Sequence, residues 1–212
     1  MVFQSSQSLT LRRAIAEDAE WAVPQLFAAG PALFSYIFAA SPTEAQHVLY
    51  QAFGMPQHAF SYEHTHIVEV DGAAAGLVIS YPGSVKKQAD EKVHFVMARI
   101  TPLRRLPKIL VNVADFSRIK QDVALEDYYV LGLSVAPEFR NRGIGSHLLA
   151  WAEAQAQAQN CLRICADVTY VNVLMKQLLE RRGYQIECSK TTDRFEQMTR
   201  SGGIHRLVKL LM

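Results

Sequence analysis

Hydrophobic and polar positions alternate from Ser8 to Ala14 (SLTLRRA), the period of a half-buried strand. The stretch IAEDAEWAVPQLFAAG then changes to a helical spacing, with acids in its first turn and Gly30 at its end. Pro24 predicts a kink there, or a break into two short helices. Ser41 to Phe53 (SPTEAQHVLYQAF) carries a full set of start signals: Ser41 as cap, Pro42 in the first position and Glu44 closing a capping box. Two β-rich runs, about His64–Val70 and Ala74–Tyr81, flank Asp71-Gly72, which predicts a hairpin. Tyr128 to Val135 (YYVLGLSV) is almost wholly apolar, as suits the centre of a sheet.

The pattern continues as helix, strand, helix and two strands. Gly143 to Gln159 places Ile144, Leu148, Trp151 and Ala152 on one helical face. Leu162–Val168 reads as a strand, and Asn172–Arg182 as a helix that Gly183 ends. YQIECSK and HRLVKLLM read as strands around the polar stretch Thr191 to Gly203. The whole predicts a mixed α/β sheet covered by helices. Residues 84–122 interrupt the rhythm with two or three helices around TPLRRLPK. They hold nine Lys and Arg against four Asp and Glu, so the segment is +5 in a chain of net +2. We expect one domain, 1–212, with 84–122 as a helical insertion before the central strand. The insertion's RRLPK patch suits a substrate carboxylate or phosphate, an acidic partner, or a solvated helical cover.

Composition narrows the classes. Half the residues are hydrophobic and a fifth are charged, an ordinary globular balance. The small net charge, with no aromatic series beside the basic patch, argues against nucleic acid. No run of about 18 apolar residues occurs, so no membrane partner is expected. Cys161, Cys165 and Cys188 are odd in number and form no CxxC, which predicts free thiols. MVFQSSQSLTLRRA lacks the order of a signal peptide, and the cytoplasm is the expected location. His64 and His66, two apart on a strand, would face one side, but no third ligand matches them and no metal is expected.

The chemistry concentrates in VAPEFRNRGIGSHLLAW, Val135 to Trp151. Leu148 stands where a dinucleotide fingerprint needs glycine, and no GK pair for a phosphate loop is present. A helix start nonetheless leaves N–H groups without internal partners and adds about half a positive charge. Gly143 and Gly145 clear side chains from that backbone, Arg140 and Arg142 add charge, and Ser146 adds a hydroxyl. The set suits a diphosphate; a tight turn with solvated arginines is the plainer alternative.

VAPEFRNRGIGSHLL resembles the acetyl-CoA signature of the GNAT family of N-acetyltransferases: Arg or Gln, two residues, Gly, one residue, then Gly or Ala. Asn172 followed by LLERRGY resembles the family's second motif. The resemblance is strongest over Tyr128 to Glu187. It implies an acyl-CoA N-acyltransferase-like fold, a mixed and largely antiparallel sheet with flanking helices, and acetyl-CoA as cosubstrate without a metal. Backbone N–H groups of Asn141, Arg142, Gly143, Ile144, Gly145 and Ser146, beside Arg140, would hold the pyrophosphate. Leu133, Ser134 and Val135, on a strand splayed from Leu162–Val168, would bond the pantetheine arm, and Asn172 would touch it or its bound water. The acceptor would be a small-molecule or peptide amine, and the protein a monomer or homodimer.

The catalytic groups are less defined. Tyr129 falls near the family's acidic position on the central strand, with Glu126 and Asp127 just before it, as bases through water or as solvated loop-end acids. Leu179 stands where the family's proton-donating tyrosine usually lies, and Tyr170, at the end of the neighbouring strand, is the nearest candidate to donate in its place, unless the thiolate leaves unassisted. That departure leaves open a non-catalytic acyl-CoA-binding or sensing module.

Overall fold

Period-two alternation builds a single seven-stranded sheet in the computed structural model, which describes residues 8–211. The N-terminal heptapeptide and Met212, both used in the sequence reading, lie outside the described residues. The strands are β1 (Leu9–Arg13), β2 (Thr65–Val70), β3 (Ala73–Pro82), β4 (Asp127–Val135), β5 (Arg163–Thr169), β6 (Gln185–Lys190) and β7 (Ile204–Leu210). Their spatial order is β1-β2-β3-β4-β5-β7-β6. Every adjacent pair is antiparallel except β4 with β5, so the sheet is mixed and largely antiparallel, as expected.

Helices α1 (Ala19–Ala28), α2 (Pro31–Ile37) and α3 (Pro42–Phe53) join β1 to β2, and α4 (Gly83–Ile100) and α5 (Leu106–Ser117) join β3 to β4. Then come α6 (Ile144–Ala158), α7 (Val173–Arg181) and α8 (Asp193–Thr199). The capping box of α3 forms: the Glu44 N–H donates to Ser41 Oγ, and Glu44 Oε2 accepts from the Ser41 N–H at 3.0 Å. Asp71 and Gly72 both take positive φ, as a tight hairpin turn requires. Pro24 does not break α1, which runs through it as one helix.

Neighbouring residues of each strand divide between two faces. Ile67, Leu77, Ile79 and Tyr129 pack with α1, α3 and α4 residues, while Val68, Val78, Val130 and Ile164 pack against α6 and α7. A smaller cluster of Tyr36, Ile119, Phe195 and Ile204 ties α2 and α8 to the start of β7. The two histidines expected to share a side do not. His64 lies in a 3-10 turn and packs on Tyr81, with ring centroids 4.9 Å apart, whereas His66 in β2 meets Trp151 of α6 at 4.1 Å. The turn ends the strand period one residue too early for the pair to align.

Candidate active site

Parallel β4 and β5 pair only from Asp127–Val130 to Arg163–Ala166. Beyond that point β5 continues on β7 as far as Thr169, and β4 continues on β3. The β4 edge facing β5 therefore has no strand partner from Leu131 to Val135 among the described residues, roughly 13 Å of backbone at a strand's rise. A bulge sits at the apex of this splay: Ile79 faces Gly132 and Ser80 faces Val130, leaving Leu131 as the extra residue.

The open edge leads into the start of α6. A 3-10 turn, Pro137–Phe139, reverses the chain, Asn141 takes φ 61°, and Gly143 takes φ 82° as the residue before the helix. A Cβ at Gly143 would meet nothing within 4 Å, so its backbone conformation is what calls for glycine. The first internal bond of the helix runs from the His147 N–H to the Gly143 carbonyl. The amides of Ile144, Gly145 and Ser146 precede it and point out of the helix end. Gly145 has a second reason to be small: a Cβ there would lie 3.2 Å from Leu178 and close to Val135 and Leu133. Its spacing thus serves the contact of α6 with α7 and β4 as well as access to the backbone. Arg140 folds back and donates from Nε to the Val135 carbonyl at 3.0 Å, while the Arg142 guanidinium lies over the Phe139 ring. These residues fit a diphosphate-bearing carrier: open space before exposed amides, with an unpaired strand edge alongside.

Below the apex, on the α1–α4 face, lies a polar network. The Tyr129 hydroxyl donates to Asp167 Oδ2 at 3.1 Å. Arg206 holds that carboxylate with two bonds, Nε to Oδ1 at 2.6 Å and Nη2 to Oδ2 at 2.8 Å. It also donates to the Asp122 and Gln121 carbonyls. Lys86, from the first turn of α4, places Nζ 5.0 Å from the centre of the Tyr129 ring. Burial first, and Asp167 second, push the Tyr129 hydroxyl well above the usual phenol range, so it stays protonated and acts as a donor. Burial and the neighbouring Lys120 lower the Lys86 ammonium from its usual value.

A family model described as "Acetyltransferase (GNAT) family" matches residues 31–184. The chain belongs to the GNAT family. No curated protein matches its sequence. Among solved structures, it is similar to an N-acetyltransferase from Staphylococcus aureus Mu50 at 14 % identity and TM-score 0.69, covering 94 % of this chain and 100 % of that one. A structure named as an acetyltransferase gives 20 % identity and TM-score 0.65 over 96 % and 100 %. A polyamine N-acetyltransferase from Drosophila melanogaster gives 14 % and 0.61 over 96 % and 100 %. At these identities the likeness establishes the fold.

Within this GNAT chain the remaining candidates are scattered. Asp127 is 1 % exposed and locked by Arg163 through two bonds of 2.9 and 2.7 Å, four residues from Leu131 in the direction away from α6. Glu126 is exposed, and its carbonyl accepts the Leu162 N–H. Tyr170 stacks on His205 at 4.2 Å and lies against Gly202 and Gly203, where a Cβ would collide with its ring. Asn172 caps α7 by accepting from the Met175 N–H, and its amide reaches across to the Ala29 carbonyl at 3.3 Å, joining the α1–α2 turn to α7. Leu179 is fully buried in the core beside α6 and supplies no hydroxyl. The residues that the sequence reading missed are Asp167, Arg206 and Lys86. No local spacing marks them; the antiparallel register that sets Asp167 opposite Arg206 brings that pair together.

Proposed function

We propose that this protein is an N-acetyltransferase that moves an acetyl group from acetyl-CoA to a primary amine, on a small molecule or a peptide, by direct transfer in a ternary complex. The observation that carries this reading is the β4 edge from Leu131 to Val135, left without a strand partner among the described residues, running into the first amides of α6. In this reading the amides from Asn141 to Ser146, with Arg140 and Arg142 nearby, take the pyrophosphate, and Leu133, Ser134 and Val135 bond the pantetheine arm. The family's solved relatives include an agmatine and an arylalkylamine N-acetyltransferase-like protein, which supports an amine acceptor.

The amine nitrogen attacks the thioester carbonyl carbon. A C–N bond forms, the C–S bond breaks, and the proton that the attacking nitrogen sheds balances the one taken up by the departing coenzyme A thiolate. A backbone N–H on the β4 edge polarises the carbonyl. Tyr129, protonated and held by Asp167, turns its one O–H from that carboxylate to the departing sulfur as the C–S bond breaks, the part that Leu179 cannot play. Asp127, neutralised by Arg163, keeps a structural role, and Glu126 remains a solvated acid. Tyr170, wedged under His205, positions the β5–α7 turn, where Asn172 meets the arm or its bound water. An amine with pKa about 10.4 costs roughly 4.6 kcal/mol to deprotonate at pH 7. The rate therefore climbs with pH as the neutral amine accumulates.

The reading extends to one domain with 84–122 as a helical insertion, supported by α4 and α5 lying between the paired strands β3 and β4. It also extends to a cytoplasmic location, supported by three free thiols, and to a monomer or homodimer. Release of free thiol from acetyl-CoA across a panel of primary amines tests it. Turnover of at least one amine is the expected result. A rise in melting temperature with acetyl-CoA but no thiol with any amine would instead favour a non-catalytic acyl-CoA-binding module.

A further inference from the structure

We infer that the amine acceptor carries a carboxylate, which docks on the lysine pair Lys86 and Lys120 beside Tyr129. This rests on the acetyl-transfer reading above and adds the acceptor's charge to it. Both lysines donate to the same oxygen, Asp90 Oδ2, at 2.5 Å from Lys86 and 2.9 Å from Lys120. Neither has another carboxylate partner among the described residues. Two ammonium groups thus share one carboxylate at the edge of the site. Arg206, on the same tyrosine ring at 5.7 Å, is already taken up by Asp167 and two carbonyls. Lys86 and Arg206 lie on the Tyr129 ring, and Lys120 joins Lys86 through Asp90, so the connected charges are three cations against Asp90 and Asp167, with Tyr81 and Cys165 uncharged.

An excess positive charge held beside a protein core is costly unless an anion meets it. The cluster is open to one: the Asp90 and Lys120 side chains are 39 % and 31 % exposed, although Lys86 behind them is 6 % exposed. A carboxylate arriving there gives the second ammonium its own counter-ion. A second ammonium on the acceptor would instead face like charges, which selects against diamines as directly as it selects for amino acids and acidic peptides. The helices of the basic segment supply both lysine positions, α4 carrying Lys86 and Asp90 and the end of α5 leading into Lys120.

Matched acceptors that differ only by the carboxylate test the inference on the full-length protein: lysine against cadaverine, arginine against agmatine, phenylalanine against phenethylamine. The expected result is a kcat/KM for thiol release at least about tenfold higher for the carboxylated member, the scale of one charge-assisted hydrogen bond. Lys120→Gln, with folding and acetyl-CoA binding checked by melting temperature, should close most of that gap. Equal turnover within the pairs, preference for the decarboxylated members, or an undiminished gap in folded Lys120→Gln would overturn it and leave acetyl transfer standing. No thiol from any acceptor, with acetyl-CoA still raising the melting temperature, would overturn the transfer reading and this inference with it. The wild-type comparison decides alone if Lys120→Gln fails to fold.

Discussion

Tyr129 is a residue whose environment fixes its role. Lys86 and Arg206 flank its ring, and its hydroxyl is spent on a carboxylate that is itself held. A phenol in that setting keeps its proton and acts as a hydrogen-bond donor. Tyr129→Phe should lower kcat by about a hundredfold, the low end for a positioned acid, and leave the acetyl-CoA Kd nearly unchanged, because in the proposed reading Tyr129 meets the carrier only at the sulfur as it departs. Thiol-release kinetics beside calorimetry would check both halves. The resemblance marked Tyr129 from sequence, but its partners were out of reach. Asp167 and Arg206 lie 38 and 77 positions downstream in the numbering, and the pairing of β4, β5 and β7 must be known before they meet. His66 offers a second test. Burial, and then Arg13, lower its pKa to about 4. A depressed histidine binds fewer protons folded than unfolded, so its contribution is complete above the unfolded value near 6.5 and fades as pH falls toward 4. His66→Phe, which keeps a ring against Trp151, should lose less melting temperature than the wild type between pH 7 and pH 4.5. Parallel curves would contradict this.

Elements were legible where their ends carry chemistry. The capping box at Ser41, the Asp71-Gly72 turn and the glycine after α7 are local signals that no tertiary contact has to complete. Helices α2 and α8 went unread for opposite reasons. PALFSYI is short and apolar nearly throughout, so no face stands out, and DRFEQMT is polar with Phe195 as its buried anchor. The start of α6 was legible as a motif but only half explained by it. Gly143 answers a left-handed backbone, whereas Gly145 also answers the side chain of Leu178. Gly143→Ala should therefore cost roughly 1–2 kcal/mol of stability through backbone strain, since its Cβ meets no atom, and should weaken acetyl-CoA binding as the amides tilt. Urea unfolding and a binding titration would measure the two effects. Unchanged stability would mean that the turn relaxes into another conformation.

At the scale of the molecule, one departure from antiparallel order makes the candidate site. β4 and β5 are the parallel pair, and they part after four residues, because β5 stays with β7 while β4 bulges at Leu131 and stays with β3. Two arginine–carboxylate pairs, Arg163 with Asp127 and Arg206 with Asp167, bracket the paired stretch and hold the apex of the splay in place. The order of strands and helices was readable from hydrophobic period, but the point of divergence was not, since it depends on register and a bulge that the apolar run YYVLGLSV does not mark. The claim that everything else depends on is that this divergence and the α6 start form one continuous track for acetyl-CoA. Titrating acetyl-CoA into 15N-labelled protein and following backbone amides tests it most directly. The account predicts the largest shifts at Gly143, Ile144, Gly145 and Ser146 and along Leu131 to Val135. Saturable binding that leaves those amides unmoved and shifts another surface would contradict it.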